Sequence, residues 1–138
     1  SAGQKGCMGS KLEELGEILD KLSIKTFCVC LDTCHAFAAG YDLSTEEACK
    51  RFISEFDKIV GLGVLKFIHL NDSKYEIGSH LDRHELVGNG KIGIEGFKTI
   101  INHKILGDIP MVMEPNFVSI EEDVKNLELV RKLRKRTN

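Results

Sequence analysis

Thr26-Phe27-Cys28-Val29-Cys30-Leu31 is a short continuous apolar run, and Asp32 follows it directly. Such unbroken runs are typical of parallel strands buried on both faces. Two more strands are expected downstream. Val64-Leu65-Lys66-Phe67-Ile68-His69-Leu70 predicts the second, and Pro110 opens a third that runs through Met113. Around them the apolar period changes to that of helices. Leu12, Leu15, Leu19 and Leu22 recur at helical spacing over residues 10–22. Ser44 with Glu47 carries a capping-box signature. Behind it Cys49, Phe52, Phe56 and Ile59 form the inner stripe of a helix that Gly61 is placed to stop. A shorter helix is expected over residues 95–103, with Phe97, Ile100 and Ile101 inward. Ser119 and Glu122 form a second capping box. The helix they open is acidic in its first turn (Glu121, Glu122, Asp123) and basic in its last (Arg131, Lys132, Arg134), the order that suits the helix dipole.

The order αβαβαβα predicts an α/β fold with parallel strands joined by helices. The chain has 138 residues, enough for one domain. Three strands are too few for a closed (β/α)₈ barrel, which takes ~250 residues. The pattern therefore describes either a small open α/β domain or a piece of a barrel. The stretch from Asn71 to Gly90 has little periodicity, and long loops in compact domains are often functional. A net charge of -2 does not mark a nucleic-acid binder, although a bound metal would add positive charge that a residue count omits. No apolar run approaches the ~20 residues of a membrane span. Ser1-Ala2-Gly3-Gln4-Lys5-Gly6 has no signal-peptide pattern. The five cysteines are odd in number and fit no disulfide framework, which favours a reduced, intracellular setting. Cys28 and Cys30 are expected as small buried residues of the first strand.

The polar residues at the strand ends carry the chemistry. Asp32 follows the first strand, His69 lies near the end of the second, and Glu114 follows the third. A buried strand end is an expensive place for a carboxylate unless something pairs with it. His35 lies three residues beyond Asp32, and Asp82 and His84 flank Arg83 in the long loop. Three carboxylates and three imidazoles suit zinc, manganese or iron. Each has a plainer reading: Asp32 as a cap, His69 as a core histidine, Asp82-Arg83-His84 as a solvated loop, Glu114 as a turn residue. One metal site accounts for all of them at once. His80 and His103 lack this context and read as surface residues.

With these residues in place, the sequence resembles the endonuclease IV family. The resemblance is carried by Leu31-Asp32-Thr33-Cys34-His35-Ala36-Phe37-Ala38-Ala39-Gly40-Tyr41-Asp42, by His69-Leu70-Asn71-Asp72-Ser73-Lys74, by Asp82-Arg83-His84, and by Gly88-Asn89-Gly90-Lys91-Ile92-Gly93. It runs from about Ala2 to Glu114. It implies that residues 1–138 are the C-terminal portion of a TIM barrel bearing up to three Zn²⁺ ions, with Mn²⁺ as an alternative. It also implies hydrolysis of double-stranded DNA 5′ to an abasic site. Asp32, His69 and Glu114 would hold one zinc of a bridged pair, and His35, Asp82 and His84 another. Glu114 would also orient the nucleophile, and Arg83 could meet phosphate.

Ser1-Ala2-Gly3-Gln4 matches the tail of a family motif whose bridging glutamate would precede it. Two further histidines and a loop that wedges into DNA would also lie upstream. The resemblance therefore implies a partial barrel, inactive by itself, whose open sheet invites self-association. Pro115-Asn116-Phe117-Val118 departs from the family's Glu-Thr-x-x-Pro pattern. A sugar isomerase or epimerase on a related barrel would fit Asp32, His69 and Glu114 alone. His35 and the Asp82-Arg83-His84 loop favour the nuclease.

Overall fold

Helix α1 (Leu12–Lys21), strand β1 (Val29–Asp32) and helices α2 (Thr33–Ala39) and α3 (Glu46–Ile59) open the chain. Strand β2 (Leu65–His69), a small hairpin of β3 (Asp72–Ser73) and β4 (His84–Glu85), helix α4 (Gly93–Ile101), strand β5 (Met111–Val112) and helix α5 (Ile120–Leu133) complete it. This computed structural model describes residues 1–22, 26–116 and 119–135. β1, β2 and β5 form one parallel sheet in that order, the arrangement expected of helix-linked strands. Asp32 pairs with His69 and His69 with Val112, so the ends of all three strands reach the same rim.

One face of the sheet is covered. Val29, Leu31 and Ile68 are buried in a core shared with Phe52, Phe56, Phe97 and Ile100. Each such side chain contributes about 1.5–3 kcal/mol when fully withdrawn from water. The opposite face is open among the described residues. Cys30 is exposed, as are Phe67 (38%) and Val112 (39%). This corrects the expectation that Cys28 and Cys30 are buried, since both are exposed free thiols. The apolar run signals a strand meant for cover on two faces, and these residues supply cover for one. The strand also starts later than its apolar run, at Val29, and ends on Asp32 itself.

Two local expectations change. α3 is capped by Thr45, whose side chain accepts the Ala48 N–H, because Ser44 is occupied by Asp42. Asp42 Oδ1 takes both the Ser44 N–H (2.9 Å) and its hydroxyl (2.6 Å). α2 has no counterpart in the expected order. Its seven residues are too few and too alanine-rich to show a period, and it starts directly from β1 with Asp32 as its cap. The Ser119–Glu122 capping box of α5 forms as expected. Phe117, Val118 and Arg136 lie outside the described residues, so the departure after Glu114 is described only through Asn116.

The long aperiodic stretch owes its order to Asp72. This residue is fully buried, and its carboxylate accepts the N–H groups of Ser73 (2.8 Å), Gly88 (2.9 Å), Gly90 (3.1 Å), Ile92 (2.9 Å) and Gly93 (3.3 Å). Burial pushes its carboxyl above the usual carboxylate range, and the N–H groups of Ser73, Ile92, Gly88 and Gly90 pull it back down. Only glycine fits at position 90, where a Cβ would stand 2.5 Å from Asp72 Oδ1 and 2.4 Å from the Ser73 carbonyl oxygen. Asn126 of α5 braces the same loop by bonding both the N–H and the C=O of Val87. Residues 72–93 thus form a frame from which β4 presents His84 at the rim of the sheet.

Candidate metal centre

The six side chains singled out in the sequence converge at that rim. Asp32, His69 and Glu114 form one group and His35, Asp82 and His84 a second; in each, one ligand atom per residue lies within 4.8 Å of the others. In the first, His69 Nδ1 stands 2.5 Å from Glu114 Oε2 and 3.6 Å from Asp32 Oδ2. In the second, Asp82 reaches His35 Nε2 at 3.1 Å and His84 Nε2 at 3.3 Å. The groups share an edge, with His84 Nε2 lying 3.7 Å from Asp32 Oδ2.

Each side chain is placed by a different device. Asp32 ends β1 and also caps α2, with Oδ1 accepting the His35 N–H at 3.0 Å. The cap fixes Asp32 and starts the helix that carries His35, so the plain reading and the metal reading hold together. His69 ends β2, and Glu114 lies two residues beyond β5. His84 Nδ1 lies 2.8 Å from the Glu114 carbonyl oxygen. A carbonyl only accepts, so Nδ1 carries the hydrogen, and the lone pair of the neutral ring is left on Nε2.

That lone pair decides whether the site fits a cation. His84 Nε2 and His35 Nε2 are both buried without a hydrogen-bond partner. A buried polar atom left unmade costs about 1–3 kcal/mol. Here both atoms face carboxylates that are acceptors themselves. A divalent cation among them would satisfy every one, and the bond from His84 Nδ1 to a carbonyl is the kind of outer contact that orients a metal-binding imidazole. The donor set of oxygen and nitrogen fits zinc or manganese.

Other residues fall elsewhere. Arg83 is exposed and its Nη1 donates to the Asp82 carbonyl at 2.7 Å. His80 is exposed. His103 is not a plain surface residue, because its Nδ1 accepts the N–H groups of Ile105 and Leu106 and caps the following turn. Two site residues were not singled out from the sequence. Cys34 lies beside Asp32 and His84, and burial pushes its thiol up to about 11. Asn71, 2% exposed, stands between Asp32 and Glu114. Both lie inside the stretches quoted for the family resemblance, Cys34 two residues after Asp32 and Asn71 two residues after His69.

Comparison with known proteins gives a consistent picture. The family model described as xylose isomerase-like TIM barrel matches residues 2–135. "Probable endonuclease 4" of Halothermothrix orenii is 47% identical over 133 residues, which is 95% of this chain and 48% of that protein. "Apurinic-apyrimidinic endonuclease 1" of Plasmodium falciparum is 45% identical over 130 residues, 94% of this chain and 22% of its own length. The crystal structure of endonuclease IV from Thermus thermophilus superimposes with a TM-score of 0.84 at 35% identity, covering 96% of this chain and 47% of that one. The chain spans about half the length of the bacterial and archaeal relatives it matches.

Proposed function

We propose that this chain, which belongs to the xylose isomerase-like TIM barrel family and within it to the endonuclease IV group, serves a metal-dependent endonuclease of DNA repair that hydrolyses the backbone 5′ to an abasic site. The observation that carries the reading is the second ligand group. Asp32, His69 and Glu114 alone would suit a sugar isomerase, whereas His35, Asp82 and His84 add a separate place for a cation. Zinc is the ion proposed.

Asp32, His69 and Glu114 would hold one ion and His35, Asp82 and His84 another. Clustered metals, when bound, supply hydroxide at neutral pH and neutralise charge on phosphate and leaving oxygen. The protein's part is placement. Glu114 keeps 47% of its side chain open to solvent, so it is the carboxylate positioned to accept a hydrogen bond from an incoming water. Arg83, beside two ligands, turns an exposed guanidinium toward solvent, suited to a phosphate contact. A reducing, intracellular compartment is proposed with it, from five cysteines whose odd number and spacing fit no disulfide framework.

The test uses the complete protein, an oligonucleotide with one abasic site, and a panel of sugar phosphates. We expect a nick 5′ to the lesion that is lost on chelation and restored by Zn²⁺, and no sugar turnover. Turnover of a sugar phosphate without a nick would replace this reading with the isomerase. The open sheet face supports a second proposal, self-association of the 138-residue chain through Cys30, Phe67 and Val112. Sedimentation should show a dimer that weakens in Phe67→Glu, and a clean monomer at high concentration would end the idea.

A further inference from the structure

Asn71 is buried among the ligands of the first group, and its side chain is committed to them. Its amide is fully engaged. Oδ1 accepts the Glu114 N–H at 2.8 Å. Since a backbone N–H only donates, that atom is the oxygen, and the NH₂ must face the other way. Nδ2 then donates to Asp32 Oδ2 at 3.0 Å and to Glu114 Oε2 at 3.4 Å. These are the same two oxygens that approach His69 Nδ1. The Asn71 backbone is held as firmly. Its N–H donates to Thr33 Oγ1 (2.9 Å), and that hydroxyl donates to the Asn71 carbonyl (2.6 Å). With every polar group committed, the amide is not free to turn.

Resting on the metal-centre reading above, we infer that Asn71 is the positioning residue for the Asp32–Glu114 half of the centre. Two carboxylates aimed at one point repel until a cation arrives. An NH₂ between them gives each a donor, takes up one lone pair on each facing oxygen, and leaves another for the ion. The amide oxygen at the same time ties Glu114 by its backbone, so one side chain sets both the rotation of Asp32 and the reach of Glu114. Aspartate has the same size and the acceptor but no donor, and glutamine is one methylene too long for a space this closed.

The experiment is a Co²⁺ titration of the protein, followed by the ion's visible absorption with a competing chelator, on wild type, Asn71→Asp and Asn71→Ala. Wild type should resolve ions at both groups. In Asn71→Asp one ion should weaken about 10–100-fold, the usual consequence of losing an outer-shell partner. The ion at His35, Asp82 and His84 should be unchanged. Asn71→Ala, which adds no charge, should show the same selective loss; if it fails to fold, the isosteric Asn71→Asp decides. Wild-type affinity at both ions in Asn71→Asp would overturn the positioning role. So would equal loss of both ions, which marks a merely structural residue. A wild-type protein that takes up no Co²⁺ would instead overturn the metal reading, and this inference with it.

Discussion

Replacing Glu114 by glutamine in the complete protein is expected to lower abasic-site cleavage by at least about 10³-fold, within the range for losing a positioned acid–base group. The change keeps size and shape and removes the charge. It strips the carboxylate that His69 Nδ1 meets at 2.5 Å, and with it the acceptor placed for an incoming water. The backbone roles of residue 114 survive, because its N–H still reaches Asn71 Oδ1 and its carbonyl still orients His84. The fold should therefore hold, and the Glu114 side chain, nearly half exposed, contributes little packing. Cleavage rates on a nicking assay, with metal content measured in parallel, check this. Activity within tenfold of wild type would remove Glu114 from the chemistry.

Asp72→Ala should have the largest effect on stability. It removes the common acceptor of five backbone N–H groups, from Ser73, Gly88, Gly90, Ile92 and Gly93. Leaving even two of these unmade in a dry site costs roughly 2–6 kcal/mol at about 1–3 kcal/mol each. That is a large part of the 5–15 kcal/mol, roughly, that holds a typical domain together. The loss should be localised first. Amide exchange at Gly88, Gly90 and Ile92 should rise before the β1–β2–β5 sheet is touched, and Co²⁺ affinity at the His35–Asp82–His84 group should fall as β4 loosens. Urea unfolding combined with exchange by NMR separates these effects. Full protection of the three amides in the variant would show that water or another acceptor replaces Asp72 without cost. Asp72→Asn should be intermediate, since it keeps one acceptor oxygen but turns an NH₂ toward the same donors.

Much of this protein is written locally. The apolar stripes of α1, α3 and α4, the Ser119–Glu122 capping box and the alternation of helix with strand all depend on neighbours within a turn or two, so periodicity reveals them. Asp32, His35, His69, Asp82, His84 and Glu114 could be picked out as candidates for a related reason: few side chains can hold a cation, and three of these sat where strands end and three in the segments beyond them. Tertiary structure decided the rest. It brought the six side chains together at one rim, left Cys28 and Cys30 exposed, and moved the start of α3 to Thr45. It also set Asn71 between Asp32 and Glu114, partners 39 and 43 residues away, and wrapped residues 88–93 around Asp72, 16 to 21 residues earlier. A hydrogen bond from a side chain to a distant backbone has no period and no preferred spacing, so it leaves no mark in the order of residues and exists only once the chain has folded.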